Sequence, residues 1–290
     1  MRTIGICTSS RSERHLVQAL ADEMNNGKYD LKAELIEVNS MFFTPLRNTS
    51  FDILREYSFL ILPTDRMEMM EFALSIFKYN IPFCHYIAGS QSYSHTYDDI
   101  NRWMISLMAN FCFAESPEAR HNLIRAGIPE DRILITGTSH FDGITMQDIE
   151  ANKPKDVPID NFDIILYNPL TTGEKESFKT EFQADNIPII IKPNEDNPNS
   201  EGKQYSHLEF LWLLHHADRF ISNSSAGHYE LPYLQKYYGS KCKWINPSQR
   251  NKERTPIPPE YCRGASKIIA DWCNTVDLKW LKTPKRLFGK

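Results

Sequence analysis

The chain has 290 residues, 41% of them hydrophobic and 24% charged, and a formal net charge of -4. The length suggests two domains of roughly 150 residues each, and the charge excludes a general attraction to nucleic acid or anionic lipid. No apolar run approaches the roughly 20 residues that a transmembrane helix needs, and residues 1–7 are strand-like rather than typical of a signal peptide. The six cysteines include no C-x-x-C pair. These features predict a reduced cytoplasmic protein.

Strand-like and helix-like segments alternate along the chain. The first half contains predicted strands 2–7, 31–38, 59–62, 83–87, 111–114 and 132–136, with helices 11–24, 66–79, 98–109 and 117–126. The polar stretch 152–160, which carries two prolines, is predicted to be a linker. The second half contains strands 162–167, 187–192, 218–222 and 242–246, with helices 174–184, 207–217, 226–238 and 263–274. This alternation predicts an α/β fold with parallel, doubly wound sheets covered by helices on both faces.

The domains predicted from this pattern are Rossmann-like. Residues 1–155, joined by the C-terminal segment 263–290, form the N-terminal domain, and residues 156–262 form the C-terminal domain. Loops after the carboxyl ends of parallel strands usually carry the ligand-binding residues. The sequence therefore directs attention to the polar residues that follow each strand.

The segment 223–230, Asn-Ser-Ser-Ala-Gly-His-Tyr-Glu, follows a predicted strand and begins a predicted helix. Small and hydroxylated residues at such a turn leave backbone N–H groups facing an anion, and the helix dipole adds positive potential. Gly227 lets the backbone approach a phosphate, and Glu230 can accept hydrogen bonds from ribose hydroxyls. The alternative is an ordinary capped helix, because Ser and Asn are common N-caps.

For other polar residues after strand ends, a structural interpretation stands beside the functional one. Asp65 and Asp98 lie where helices begin, so either a helix cap or a pair of acid/base carboxylates explains them. Arg11, Arg250 and Arg254 can hold phosphate or be solvated loop arginines. His85, inside an apolar strand end, is typical of a core histidine. The sequence has no metal-ligand spacing, no nucleophile elbow and no P-loop.

Taken in order, nine segments resemble the UDP-N-acetylglucosamine 2-epimerase family, most closely its hydrolysing branch, which makes N-acetylmannosamine. The resemblance runs from residue 3 to about residue 255. The segments are 8–11 (Thr-Ser-Ser-Arg, where the family has Gly-Thr-Arg), 65–66 (Asp-Arg), 85–89 (His-Tyr-Ile-Ala-Gly), 98–102 (Asp-Asp-Ile-Asn-Arg), 135–138 with Asp142, 168–172 (Asn-Pro-Leu-Thr-Thr), 193–196 (Pro-Asn-Glu-Asp), 223–230, and the loop with Asn246, Arg250 and Arg254. Each segment alone is weak evidence, whereas nine in the same order are specific.

The resemblance implies a GT-B architecture, in which two Rossmann-like domains face a central cleft and the C-terminal domain binds UDP. It implies removal of the C2 proton and loss of UDP to give a 2-acetamidoglucal, to which water adds, without a cofactor or a metal. By position, Asp65 and Asp98 match the catalytic carboxylates. The positions that match substrate-binding residues are Arg11, Arg66, His85, Arg102, Asn168, Thr171, Asn194, Asp196, Ser224, Ser225, Gly227, Glu230, Arg250 and Arg254.

Three positions depart from the family pattern. Ile87 stands where the family has a catalytic carboxylate, and its side chain is expected to reach the sugar. Asn168 stands where the family has a histidine, and Thr64 replaces the glycine before Asp65. The predicted function is a UDP-N-acetylglucosamine 2-epimerase of the hydrolysing type in amino-sugar biosynthesis, whose turnover these changes put in question. The alternatives are a GT-B glycosyltransferase and a UDP-sugar binder without catalysis; whether the chain forms a homo-oligomer is left open.

Overall fold

The computed structural model of the chain describes residues 1–38, 49–92, 97–168, 186–193, 202–248, 250–285 and 287–288, except for the side chains of residues 11, 12, 49 and 50. The strands are β1 (Arg2–Thr8), β2 (Leu31–Glu37), β3 (Phe59–Pro63), β4 (Phe83–Ala88), β5 (Phe111–Ala114), β6 (Ile133–Ile135), β7 (Phe162–Leu166), β8 (Ile187–Ile191), β9 (Arg219–Ser222) and β10 (Lys243–Ile245). The helices are α1 (Arg11–Met24), α2 (Thr49–Leu54), α3 (Met67–Lys78), α4 (Tyr97–Met108), α5 (Pro117–Arg125), α6 (Met146–Ala151), α7 (His207–His216), α8 (Glu230–Tyr238), α9 (Ala265–Thr275) and α10 (Leu278–Leu281).

The described strands form two sheets. Within each sheet, all neighbouring strands pair in parallel. One sheet has six strands in the order β2-β1-β3-β4-β5-β6, and the other has four in the order β10-β9-β7-β8. The predicted α/β class with doubly wound parallel sheets is therefore confirmed. Among the helices of the described residues, none combines the length and apolarity that crossing a bilayer requires.

Both faces of the six-stranded sheet are buried, which explains its nearly continuous apolar strands. In β3, Phe59 and Ile61 belong to the core cluster that includes residues of α1 and α9, whereas Leu60 and Leu62 belong to the cluster that includes residues of α3, α4 and α5. Successive side chains of a strand point to opposite faces. The apolar run of β3 thus supplies two cores at once.

The chain divides into two compact units. The first comprises Met1–Gln91, Asp98–Asp142 and Arg263–Lys290, and the second comprises Ser92–Tyr97 and Gly143–Cys262. The C-terminal helix α9 packs against α1 in the first unit. Residues 143–155, which the sequence placed with the N-terminal domain, lie in the second unit because α6 packs against α7.

The differences between predicted and observed elements are local. The short helices α2, α6 and α10 have only six, six and four residues, too few to show a helical period. The predicted helix 226–238 is divided into a 3-10 helix, Ser225–Gly227, and α8. The predicted helix 174–184 lies outside the described residues.

Candidate functional site

Each sheet reverses its strand order at one place, and the candidate residues gather there. In the first unit the reversal lies between β1 and β3, and in the second it lies between β7 and β9. The loops after these strands separate in opposite directions, which leaves a crevice at the carboxyl ends of the strands. Asp65 follows β3, Asn168 follows β7, and the segment 223–230 follows β9.

Glu13 joins the two loops at the reversal point of the first unit. Its side chain accepts hydrogen bonds from Ser9, through the backbone nitrogen at 2.8 Å and the hydroxyl at 2.9 Å, and from the Thr64 hydroxyl. Glu13 is buried. Glu13 could not be recognised from its sequence neighbours, because its partner Thr64 lies far along the chain.

The backbone at the ends of β3 and β4 is strained. Thr64 has φ = 59° and Ile87 has φ = 61°, both in the left-handed region that β-branched residues rarely adopt. At Ile87 the pairing of β4 with β5 shifts register. Such strain costs about 1–3 kcal/mol per residue and is concentrated at functional sites. It also explains why a glycine suits the position before Asp65.

That the Ile87 side chain reaches a sugar stays a prediction, and its surroundings in the structure are apolar. Ile87 is buried and belongs to the apolar core cluster of the first unit. The register shift after Tyr86 breaks the regular alternation of β4, so the direction of this side chain did not follow from strand periodicity. A carboxylate at position 87 would have to enter that apolar core in the present backbone arrangement.

Asp65, which is partly buried, forms an ion pair with buried Arg102, and these two predicted site residues lie far apart in the sequence. The Arg102 side chain is only 5% exposed. It also contacts Asp99 at 3.1 Å and donates to the Ser90 carbonyl oxygen at 2.9 Å. The structure thus adds Asp99, which the sequence treated as a helix-start residue, to the group around Asp65.

Two of the remaining predicted residues of the first unit, Asp98 and Arg66, are chain neighbours of Asp99 and Asp65. Asp98 lies in the first turn of α4 and is partly exposed, and its catalytic role stays a prediction. Arg66 precedes α3 and forms an ion pair with Glu68 at 3.4 Å. Arg11 begins α1, and its side chain lies outside the described part of the structure.

His85 has hydrogen-bond partners at both ring nitrogens. It is fully buried, and its Nε2 lies 2.7 Å from the Thr64 carbonyl oxygen while its Nδ1 lies 2.7 Å from the Ser106 hydroxyl. Because a carbonyl only accepts, Nε2 carries the proton. Burial lowers the pKa of His85 to about 4, so the ring is neutral at pH 7. In this structure His85 donates to the carbonyl oxygen of the strained Thr64, and its role in substrate binding stays a prediction.

In the second unit three asparagines connect the loops at the reversal point. The Asn223 side chain accepts from the Asn168 backbone nitrogen at 2.8 Å and donates to the Asn168 carbonyl oxygen at 3.0 Å. The Asn251 side chain donates to the Asn223 carbonyl oxygen at 2.9 Å. Asn223 is fully buried. These bonds hold the ends of β7 and β9 together and fix the start of the turn at 224–227.

The turn itself is a 3-10 helix capped by Ser224, whose hydroxyl accepts from the Ala226 backbone nitrogen at 3.3 Å. Gly227 lies against the Trp244 indole, and a Cβ built there would come within 2.2 Å of the ring. The indole is fixed in turn, because it donates to the Ser222 carbonyl oxygen at 2.9 Å. Packing against Trp244 therefore requires the glycine, independently of any phosphate.

Gly227→Ala is accordingly expected to reduce the free energy of unfolding by about 1–3 kcal/mol through overpacking. The measurement is urea unfolding of Gly227→Ala, Trp244→Leu and the double variant. Since the smaller side chain removes the clash, the double variant should be more stable than the sum of the single effects indicates. Strictly additive effects would show that Trp244 does not impose the glycine.

Glu230 begins α8 and is buried. Burial raises the pKa of its carboxyl to about 7, against the opposing effects of its own backbone N–H and of Arg254. The Arg254 guanidinium lies 4.9 Å from the centroid of the Tyr229 ring and donates to the Tyr229 hydroxyl. The structure thus brings the predicted ligands Glu230 and Arg254 into one electrostatic group.

For the other predicted residues of the second unit, the structure shows backbone contacts or the position in the chain only. The Arg250 backbone is held by Ser248 and Asn246, through bonds of 3.0 and 2.7 Å. Ser225 is the first residue of the 3-10 helix, and its ligand role stays a prediction. Thr171, Asn194 and Asp196 lie outside the described residues.

Comparison with known proteins finds similarity between part of the chain and one enzyme family. Residues 48–184 match the family model described as UDP-N-acetylglucosamine 2-epimerase. The UDP-N-acetylglucosamine 2-epimerase of Salmonella typhimurium is 26% identical over 202 residues, 57% of this chain and 53% of that protein. The hydrolysing UDP-N,N'-diacetylbacillosamine 2-epimerase of Legionella pneumophila is 27% identical over 197 residues, 58% of this chain and 52% of that protein. The chain thus spans about half the length of the curated relatives it matches.

Solved structures share the fold over nearly the whole chain. The UDP-GlcNAc 2-epimerase of Neisseria meningitidis bound to UDP-GlcNAc has a TM-score of 0.67 at 14% identity and covers 94% of this chain and 99% of its own. The Methanocaldococcus jannaschii enzyme in complex with UDP-GlcNAc and UDP has a TM-score of 0.63 at 14% identity, with coverages of 94% and 100%. At these identities the similarity establishes the fold.

Proposed function

We propose, from the relationship of this chain to the UDP-N-acetylglucosamine 2-epimerases, that it is an enzyme of that type which hydrolyses UDP-N-acetylglucosamine to N-acetylmannosamine and UDP. The observation that carries the proposal is the Asp65 carboxylate at the end of β3, paired with buried Arg102. Both residues lie within the segment that the family model matches. The similarity of the chain to the hydrolysing Legionella pneumophila epimerase supports addition of water as the second step.

The proposed reaction assigns the proton transfers to the first unit. A carboxylate takes the C2 proton, the C1–O bond breaks, and the electron pair leaves with the UDP oxygen, which gives a 2-acetamidoglucal. Water then adds across the double bond, with its proton going to C2 and its hydroxyl to C1, to form N-acetylmannosamine. Asp65 and Asp98 are the proposed acid/base pair. The Arg102 guanidinium balances the negative charge of Asp65.

The second unit is the proposed UDP-binding part. The turn 224–227 precedes α8, whose N-terminus favours negative charge, and Arg254 adds a cation beside it. Glu230 is the proposed partner of the ribose hydroxyls. The relatives named above are epimerases, which favours epimerisation over transfer of the sugar to an acceptor.

UDP is expected to raise the melting temperature of the protein, since a ligand at 100 times its Kd stabilises the folded state by about 2.7 kcal/mol. A variant with Ser224→Ala and Glu230→Ala should lose this shift. Glu118→Ala, an exposed acid in the first turn of α5, should keep it. An unchanged shift in the double variant would remove residues 224–230 from the UDP site.

Turnover is tested separately by incubation with UDP-N-acetylglucosamine. Free UDP together with N-acetylmannosamine is the expected product pair. Formation of UDP-N-acetylmannosamine without free UDP would contradict the hydrolysing assignment and leave the epimerase assignment standing. UDP binding without either product would contradict catalysis.

A further inference from the structure

A group of two histidines and one glutamate lies in the second unit and includes none of the predicted site residues. Glu150 is on α6, and His215 and His216 are the last two residues of α7. Each offers one donor atom, and the three atoms lie within 4.8 Å of one another. We infer that these three side chains form a binding site for a divalent transition metal ion, with Zn²⁺ as the best match.

Two distances within the group are close to those of a zinc site. Two imidazoles on one tetrahedral zinc have ring centroids about 5 Å apart, given Zn–N bonds of about 2.0 Å. The centroids of His215 and His216 are 4.8 Å apart, with the rings nearly perpendicular at 88°. The His216 Nε2 lies 2.9 Å from the Glu150 Oε1, and two ligands of zinc are about 3.3 Å apart. Binding therefore requires movements of only a few tenths of an ångström for this pair.

The surroundings hold two of the three ligands in place. The Trp212 indole donates to the second oxygen of Glu150 at 3.3 Å, and its ring stacks on His216 at 4.3 Å between centroids. The end of α7 is fixed by the Ser240 hydroxyl, which lies 3.2 Å from the His215 carbonyl oxygen. Such supporting contacts orient metal ligands and raise affinity.

An independent observation also points to a missing partner. The Nδ1 atom of His215 is buried and has no hydrogen-bond partner among the described residues. A buried polar atom of this kind requires an explanation, and an unplaced ion is one of the usual ones. The Glu150 side chain is 45% exposed and that of His216 26%, so an ion can enter from solvent. The Lys153 ammonium lies over the Trp212 ring at 5.5 Å from its centroid.

The donor set selects the class of ion. Imidazole and carboxylate ligands suit zinc and neighbouring first-row metals, whereas calcium and magnesium prefer oxygen ligands alone. Three protein ligands leave at least one coordination position for water. The ion would join α6 to α7 within the second unit. The inference does not depend on the proposed enzyme activity.

The test is titration of the untagged full-length protein with ZnCl₂ by calorimetry, together with the visible absorption of the Co²⁺-loaded protein. One equivalent of Zn²⁺ is expected, and His215→Ala, His216→Ala and Glu150→Gln should each weaken binding by more than about tenfold. Glu150→Gln is the decisive variant, because it preserves the size and hydrogen-bonding capacity of the side chain and removes a good ligand. His121→Ala, which removes an exposed histidine of α5, is the matched control and should bind normally.

Two results would overturn the inference. One is the absence of Zn²⁺ binding to the wild-type protein. The other is binding that Glu150→Gln and His215→Ala leave within about threefold of wild type, which would place the ion elsewhere. Thermal unfolding without metal identifies any variant that fails to fold, and calcium, which should not compete, checks the selectivity.

Discussion

Replacing Asp65 by asparagine is expected to slow the release of UDP from UDP-N-acetylglucosamine by about 10²–10⁴-fold, the usual effect of losing a positioned acid or base. The affinity for UDP should stay nearly unchanged, because the proposed UDP-binding residues belong to the second unit. The variant is expected to fold, since Arg102 keeps Asp99 and the Ser90 carbonyl oxygen as partners. The measurements are kcat from UDP release and Kd from UDP titration.

Asp99→Asn is the matched control for this prediction. It removes the other carboxylate that contacts Arg102, from a residue without a proposed proton-transfer role. If the rate depends only on the charge around Arg102, both variants lose activity to a similar extent. If Asp65 transfers the proton, only the Asp65→Asn variant loses activity. An Asp65→Asn rate within about threefold of wild type would reduce Asp65 to a structural partner of Arg102.

Glu230→Gln is expected to stabilise the protein at pH 8 and to have little effect near pH 4.5. The pKa of the Glu230 carboxyl rises from 4.5 to about 7 on folding, mainly because the group is buried. Between these values the folded state binds more protons than the unfolded state, so stability falls as pH rises. A shift of this size corresponds to about 3 kcal/mol, lost by pH 8. Glutamine has nearly the same size and no charge, so the variant avoids the loss.

The measurement is urea unfolding of wild type and variant from pH 4.5 to pH 8. The difference between the two free energies of unfolding is decisive, because other groups titrate over the same range. His85, whose pKa burial lowers to about 4, changes stability in the opposite direction and cancels in the difference. Glu118→Gln, an exposed acid in a first helical turn, should show no comparable dependence. A constant difference across the range would contradict the raised pKa.

The same carboxyl connects stability with the proposed function. A buried carboxylate at a helix start without its ligand costs the folded state free energy at neutral pH. Ribose hydroxyls that donate to Glu230 would compensate part of that cost. The Tm shift produced by UDP is therefore expected to be larger in wild type than in Glu230→Gln.

The sequence alone determined the strands, the longer helices of the described residues and the class of fold. Apolar runs of four to seven residues, alternating with amphipathic segments, specify parallel strands and covering helices because both faces of the sheets are buried. The start of α5 is set by local interactions, because the Ser116 hydroxyl accepts from the Ala119 backbone nitrogen and Pro117 suits the first helical position. Asp65, Asn168 and the segment 223–230 were predicted as site residues because each begins within two residues of a strand end, and sequence order reveals the carboxyl ends of strands.

Only the tertiary structure decided which side chains meet and in which direction they point. The Asp65–Arg102 pair joins residues 37 positions apart, and the group of Glu150, His215 and His216 joins α6 to α7. Ile87 enters the core because the pairing of its strand shifts there, and Gly227 is required by Trp244 rather than by its own neighbours in the chain. The local conformational preferences of residues depend on neighbours within about one helical turn or one pair of strands. Contacts between distant residues depend on sheet order and packing, and these exist only once the chain has folded.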